Sequence, residues 1–249
     1  MLNLLQIVEE AVVGTGVRAP SSIVSGNEIA RQLLRLSNTI VKEIATRHKW
    51  EALNTEGTFT AVSTELQFAM ATQFPYFREM INNTFWNRTK QSRVRGALSA
   101  EEWQRVQATN VSPSTSYYRV RGGNLYLSGG YDTGDTMTFE YISKKVVLAV
   151  DGTTTRESFE ADTDVPLLDD QAMILGLRWR WRHEKGLEYS EHFRAFEERI
   201  EFLRGGDSEA ETLSYTPRRV RGHEDVVGIT STVSEAPPDW SMDSTDLSG

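Results

Sequence analysis

The chain has no cysteine among its 249 residues, which excludes disulfides, thiolate metal sites and cysteine nucleophiles together. Long apolar runs are missing as well: no window approaches the roughly 18 consecutive apolar residues of a membrane-spanning helix, and the mean hydropathy is −0.44. Residues 1–16 contain acids and lack the basic start and small-residue cleavage site of a secretory signal. We therefore expect a soluble protein of a cytoplasm-like compartment, held together by packing and without a membrane partner.

Motifs for catalysis and cofactor binding are also missing. Gly14-Thr15-Gly16 follows a predicted helix and lacks the Gly-Lys-Ser/Thr ending of a phosphate-binding loop. Histidine is scarce and shows no i, i+4 zinc-binding spacing; its positions are His48, His183, His192 and His223. No serine lies in a Gly-x-Ser-x-Gly nucleophile motif. We expect no catalytic residue, no metal and no cofactor.

The densest group of carboxylates is Asp162, Asp164, Asp169 and Asp170, and two interpretations of it stay open. It could hold a hard cation and, together with His183, act as a metal-dependent hydrolase. We favour the simpler interpretation, in which these acids are solvated in a loop and cap the helix that follows, because acids are typical of helix N-termini.

The acidic charge is placed unevenly along the chain. The net charge is −8, from 27 basic and 35 acidic residues. Residues 206–249 contain nine acids and three bases, a charge of −6, so that −2 is left for residues 1–205. This balance argues against a dedicated nucleic-acid binder, whose affinity would come from a basic face, and is compatible with a surface along which DNA slides.

Apolar periodicity predicts five helices, over about residues 2–13, 27–48, 101–108, 169–185 and 187–204. The capping-box spacings of Ser25-Gly26-Asn27-Glu28 and Ser99-Ala100-Glu101-Glu102 mark two of the starts. The last helix is amphipathic, with a strongly charged second face, and is expected to end at Gly205-Gly206.

Strand signals lie between the second and fourth of these helices. Gly57–Val62 and Thr64–Met70 predict a hairpin, and Tyr117–Arg121 with Leu125–Leu127 predict another around Gly122-Gly123-Asn124. Further strands over 137–142 and 146–150 would complete a small antiparallel sheet. The fold class that follows is α+β: a helical bundle with an inserted antiparallel β-rich subdomain (57–70 and 117–150) in a body of residues 1–205.

Residues 206–249 are predicted to form an extended acidic C-terminal tail. They are rich in Ser, Thr, Gly, Pro and acids, with isolated apolar residues and no sustained period. Such a segment buries too little apolar surface to order itself, so we expect it to dock on a partner chain, with Trp240 as the anchor. The other residues predicted to contact this partner are Arg218, Arg219, Arg221, Ile229 and Met242.

The segment Arg178-Trp179-Arg180-Trp181-Arg182 interleaves cations with aromatic residues, as nucleic-acid-binding surfaces do. On a helix, however, Arg178 and Arg182 share one face whereas Arg180 lies on another, so the cations cannot form one stripe. We therefore favour core tryptophans with salt bridges at a subunit interface. The residues predicted for that interface are Arg178, Arg182, Glu197 and Arg199.

Several segments follow one another in an order that is typical of a known family. They are Arg31–Leu36, His48–Leu53, Thr58–Thr60, Ala97–Trp103, Tyr118–Leu125, Phe139–Tyr141, Asp162–Asp169, Leu175–Arg180 and Glu184–Tyr189. In this order they resemble the head-to-tail adaptor (connector) proteins of short-tailed, podovirus-like bacteriophages. One departure is Met70–Pro75, where relatives often have a Leu-Pro-x-Asp-Phe turn.

The resemblance implies a structural virion protein, about twelve copies of which form a ring through a heterologous interface. The ring would lie in the virion neck, between the portal and the tail or nozzle protein, after assembly in the host cytoplasm. It would extend the DNA channel used in ejection and provide a platform for tail attachment. The expected partners are other copies of the chain, the portal protein and the tail or nozzle protein, while genomic DNA passes through without sequence-specific binding.

Alternative functions stay open at this point. The nearest is another structural protein of the phage tail tube or nozzle. A carbohydrate-binding module is an alternative of a different class, in which Trp86, Trp103, Tyr117 and Tyr118 would stack on sugars. The metal-dependent hydrolase described above is the enzymatic alternative.

Overall fold

The computed structural model describes residues 1–24, 27–109 and 114–207, which belong to one compact unit. Its α-helices are α1 (Leu4–Val12), α2 (Glu28–Arg47), α3 (Met70–Gln73), α4 (Ala100–Thr109), α5 (Asp170–Glu184) and α6 (Ser190–Asp207), with a 3₁₀ turn at Glu51–Leu53. Its strands are β1 (Asn54–Thr60), β2 (Leu66–Ala69), β3 (Phe77–Met80), β4 (Trp86–Asn87), β5 (Ser92–Arg93), β6 (Tyr117–Arg121), β7 (Asn124–Ser128), β8 (Thr136–Ser143), β9 (Val147–Leu148), β10 (Thr155–Arg156) and β11 (Val165–Pro166). The predicted α+β class is confirmed.

The helix starts follow local capping chemistry. Asn3 caps α1 in a reciprocal box with Gln6, and Ser99 and Glu102 form the predicted box at α4. The cap of α2 is Asn27, whose side chain accepts a hydrogen bond from the amide of Ala30; the predicted capping residue, Ser25, lies outside the described residues. All five predicted helices are present. The last one runs on to Asp207, past the predicted end at Gly205-Gly206.

Four helices form what we term the helical layer: α1, α2, α5 and α6. The central helix is α5, against which α1, α2 and α6 all pack. Their buried side chains form one core with Phe159 and Val147 from the chain between β8 and α5. Gly176 of α5 faces both α2 and α6: a Cβ there would be 2.7 Å from Ile40 Cγ2 and 3.1 Å from the Phe196 ring. A side chain at this position would separate the helices.

The described strands form three antiparallel sheets instead of the one small sheet that the sequence predicts. The largest has the order β1-β8-β4-β5, with β3 also paired to β8; the others are β2-β7-β6 and β10-β9-β11. Aromatic side chains fill a second core between the first two sheets, including Phe59, Phe85, Tyr118 and Phe139. The rings of Phe85 and Tyr118 lie 5.0 Å apart, and those of Phe85 and Phe139 5.5 Å apart.

The predicted hairpin of residues 57–62 and 64–70 is wrong. β1 pairs along its whole length with β8, from Asn54 opposite Ile142 to Thr60 opposite Thr136, whereas β2 pairs with β7. The reason is burial: β1 buries Gly57 and Phe59 on one face, and β8 supplies the matching apolar face from a distant part of the chain. The hairpin of β6 and β7 is confirmed, and Gly122 and Gly123 both have the positive φ that its tight turn requires.

The segment 70–75 belongs to the second core. It contains the single turn of α3 and then Phe74. The Phe74 ring lies 5.7 Å from that of Phe68 and 5.2 Å from that of Phe139.

Within the described residues, none of the helices is long and apolar enough to cross a lipid bilayer.

Candidate functional site

The tryptophans of α5 are core residues. Trp181 is buried, and Trp179 is half-buried against α6, with its ring 5.1 Å from Phe193 and 6.2 Å from Phe196. The indoles are therefore used in joining the helices of this chain, as the sequence predicts.

The three arginines between these tryptophans leave α5 in different directions. In sequence order they donate to the Glu10 carbonyl (2.8 Å), to the Glu43 carboxylate and to the Glu188 carbonyl (2.6 Å). The first of these contacts satisfies a carbonyl at the C-terminal end of α1 that has no partner within its own helix. A continuous cationic stripe for nucleic acid is therefore not what this segment provides.

An ionic network near the C-terminal end of α2 joins this helix to α5 and α6. Arg47 donates to both carboxylate oxygens of Glu197 on α6, at 2.6 and 2.7 Å, and to Glu43 on its own helix at 2.6 Å. Its guanidinium also lies 5.2 Å from the centroid of the Phe196 ring. Since Arg180 of α5 pairs with the same Glu43, one carboxylate connects α2 to both neighbouring helices through two arginines.

All four residues predicted for the subunit interface lie in or beside the helical layer and have partners in their own chain. Arg178 and Arg182 donate to carbonyls, and Glu197 accepts from Arg47. Arg199 forms a two-pronged pair with Asp169, with nitrogen-to-oxygen distances of 3.0 and 2.7 Å. Their role between subunits stays a prediction. The predicted tail contacts Arg218, Arg219, Arg221, Ile229, Trp240 and Met242 lie outside the described residues.

The aspartates of the 162–170 segment bind backbone amides in four separate places. Asp162 accepts from Ile23 and Val24, Asp164 from Glu160 and Ala161, Asp169 from Ala172, and Asp170 from Leu2. Helix capping by Asp169 is confirmed. Solvation is wrong for Asp164, which is fully buried because its oxygens satisfy the amides of its own turn. In the part of the chain that the structure describes, no three His, Asp or Glu side chains converge as metal ligands would, and His183 packs instead on Tyr189.

Asp169 is expected to make the free energy of unfolding depend on pH. Burial opposes its ionisation, but the hydrogen bonds from Arg199 and the Ala172 amide outweigh burial, so its pKa lies below the ordinary 3.8. A lowered carboxyl pKa stabilises the fold above the unfolded-state pKa, and this contribution is lost as the pH falls through the folded-state pKa. Asp169→Asn keeps a capping oxygen and removes the charge, so we expect it to lower the unfolding free energy by about 1 kcal/mol at pH 7.

In urea titrations, the difference between this variant and the wild type should shrink as the pH drops below 4. Arg204→Ala, which removes an exposed pair with Glu201, is the control and should change stability by less than about 0.5 kcal/mol. A difference that stays constant down to pH 2 would contradict the assigned pair.

The aromatic residues considered for sugar binding occupy different environments. Trp103 and Tyr118 are 5 % and 1 % exposed and belong to the interior, whereas Trp86 is 44 % exposed on β4 of another sheet. Tyr117 is half-buried on β6. Buried rings cannot present their faces to a sugar, so the geometry gives no support to this alternative.

A groove between α2 and α5 is the surface feature that the sequence reasoning missed. Its volume is about 940 Å³ and it is lined by Glu28, Arg31, Gln32, Arg35, Leu36, Thr39, Arg180 and Glu184. The signal that could have found it is the spacing of Arg31, Arg35 and Lys42, which are all exposed on one side of α2.

The family model described as SU10 adaptor protein matches residues 5–221, which include every described helix and strand apart from Leu4. Comparison with the curated proteins gives no match.

Proposed function

The chain belongs to the SU10 adaptor protein family, a family of structural phage proteins, and on this premise we propose that about twelve copies form a closed ring between the portal and the tail or nozzle. The observation that carries the proposal is the family match across both the helical layer and the β-rich part. In this role the protein is a component of the virion neck and performs no catalysis.

The helical layer supports the proposal because a closed ring of identical subunits needs two different contact surfaces on each copy. A contact of this kind transmits load best between rigid elements. Here α5 is fixed on several sides by packing, by the Arg47 network and by the pair between Arg199 and Asp169. The β-rich part then supplies the surface on which a tail or nozzle protein attaches.

In this proposal, the charge of the channel wall determines how easily DNA passes through the ring. Phosphates slide past acidic walls and are retained by basic ones, so we propose that the ring exposes acidic side chains of residues 1–205 to its bore. A bore lined mainly by arginine and lysine would contradict this part of the proposal.

We propose further that residues 206–249 dock on the portal. This segment carries −6 of the net charge of −8, which suits a basic portal surface, and Trp240 supplies a large apolar anchor. We propose Ile229 and Met242 as further apolar contacts of this segment, and Arg218, Arg219 and Arg221 as partners of portal acids.

The test is sedimentation of the purified chain through a gradient with purified portal rings. We expect the wild type to migrate with the portal and Trp240→Ala to bind about 30-fold more weakly, as expected for the loss of an interface anchor. Trp86→Ala is the matched control, because it removes an exposed tryptophan of the body, and should bind as the wild type does.

A chain that ignores portal rings would contradict the proposed function. Binding to a purified nozzle or tail protein without any binding to portal would favour the alternative, a tail-tube or nozzle component. Equal binding of wild type and Trp240→Ala would contradict the anchor alone.

A further inference from the structure

Two surfaces of the helical layer have charged side chains without an ion-pair partner among the described residues. The first is the α2–α5 groove described above. Within the described residues, neither Arg31 nor Arg35 takes part in an ion pair, although both are exposed at this groove. Arg180 lines it too, with its guanidinium above the Trp179 ring at 4.7 Å and one nitrogen on Glu43. The groove thus carries three arginines against Glu28 and Glu184.

The second surface is the exposed side of α1, which we term the α1 face: Gln6, Glu9, Glu10 and Val13. Helix α1 contains no lysine or arginine, so both of its charges are acidic. They lie in its last turn, where the helix dipole disfavours acids, and no ion pair within the described residues offsets this. Val13 directly follows and is 70 % exposed. The nearby base Arg178 is half-buried and donates to the Glu10 carbonyl.

These two surfaces lie on opposite flanks of α5. Arg178 reaches α1 and Arg180 reaches α2. Residues two apart on an α-helix are separated by about 200° around its axis. The α1 face and the groove therefore point away from each other, so one copy cannot satisfy both within itself, whereas neighbouring copies in a ring can.

We propose that the α1 face of one copy docks on the α2–α5 groove of the next copy and that this contact closes the ring. Glu9 and Glu10 meet Arg31 and Arg35, and Val13 covers the apolar floor that Leu36 provides. The occupant is a second copy of this chain because the acidic and basic surfaces complement each other and lie on opposite flanks, the geometry of a heterologous contact. This inference rests on the proposed ring and names the surfaces that build it.

The test uses two full-length charge-reversal variants, Glu9→Arg/Glu10→Arg and Arg31→Glu/Arg35→Glu, and counts copies bound per portal ring by mass photometry. Each variant alone places like charges at every contact, so we expect at least about a tenfold loss of bound copies. An equimolar mixture restores opposite charges at both kinds of contact, and we expect it to assemble like the wild type. Arg105→Glu/Lys144→Glu is the control: it makes the same change in net charge as Arg31→Glu/Arg35→Glu at exposed sites elsewhere and should assemble normally.

The outcomes separate the interface from the ring. If the wild type assembles and both reversed variants assemble equally well, the interface is wrong and the proposed function stands. If the variants fail and the mixture fails too, although circular dichroism shows every variant folded, these two surfaces do not meet each other. If the wild type itself never assembles on portal, the ring is contradicted, and this interface with it.

Discussion

Gly176→Val is expected to destabilise the body of the protein by about 3 kcal/mol or more, because it overfills a closely packed core. The first carbon of any side chain at this position would lie 2.7 Å from the Ile40 methyl group on α2 and 3.1 Å from the Phe196 ring on α6. Ile40 is β-branched and buried in a helix, so its χ1 has little freedom to move aside. The clash therefore pushes α2 and α6 away from α5.

The matched control is Gly206→Val in α6. Among the described residues, no atom other than the glycine's own helix and chain neighbours lies within 4 Å of a Cβ at that position. Because valine has a better helix propensity than glycine, we expect this control to be neutral or slightly stabilising, by less than about 1 kcal/mol. Thermal unfolding followed by circular dichroism compares the two, and equal midpoints would contradict the close contact of the three helices.

Asp164→Ala is expected to cost about 3 kcal/mol, because it leaves two amides and a guanidinium without their acceptor. The Asp164 carboxylate is fully buried and accepts from the amides of Glu160 and Ala161 at 2.8 and 2.9 Å. Arg156 lies 3.5 Å from its oxygens. The same turn positions α1, since the Leu4 amide donates to the Asp164 carbonyl.

The control for this substitution is Asp151→Ala. Asp151 also accepts from two amides, those of Thr153 and Thr154, but in an exposed turn where water replaces the lost acceptor. We expect it to change the free energy of unfolding much less than Asp164→Ala does. Urea unfolding measures the loss of stability in both variants. If they lose similar, small amounts of stability, the buried turn is less important to the fold than its geometry indicates.

The sequence predicted the helices well because each one carries its own evidence. The apolar faces of α2 and α5 repeat every three or four residues, and capping residues such as Asp169 act within one turn. The directions of the α5 arginines also follow from helix geometry alone, since positions two apart cannot share a face. Information of this kind is local, so a single sequence is enough to recognise it.

Strand pairing could not be predicted in the same way, since the partner of a strand is chosen by burial across the whole chain. β1 and β2 are neighbours in sequence, but each pairs with a strand more than fifty residues away. The polar segment 82–95 gives no apolar pattern because β4 buries Asn87, whose amide donates to Asp135 at 2.6 Å. Buried polar pairs are invisible to hydrophobic periodicity.

The same distinction between local and long-range information applies to the candidate surfaces. The sequence identified the charged residues of α5 and α6, but not that they are already paired within the chain. The spacing of Arg31, Arg35 and Lys42 marks one charged side of α2. It does not reveal the α2–α5 groove, because the packing of two helices that are distant in sequence is not local information. The α1 face went unnoticed because two adjacent glutamates on a short helix are ordinary as a pattern and become informative only when their neighbours are known.

The central claim is that copies of this chain form a ring on the portal, and cryo-electron microscopy of the purified protein mixed with portal rings tests it most directly. We expect class averages in which a second ring is stacked coaxially on one face of the portal, with the helical layers of adjacent copies in contact around it. Portal particles without added density, or with isolated copies bound and no contact between them, would contradict it.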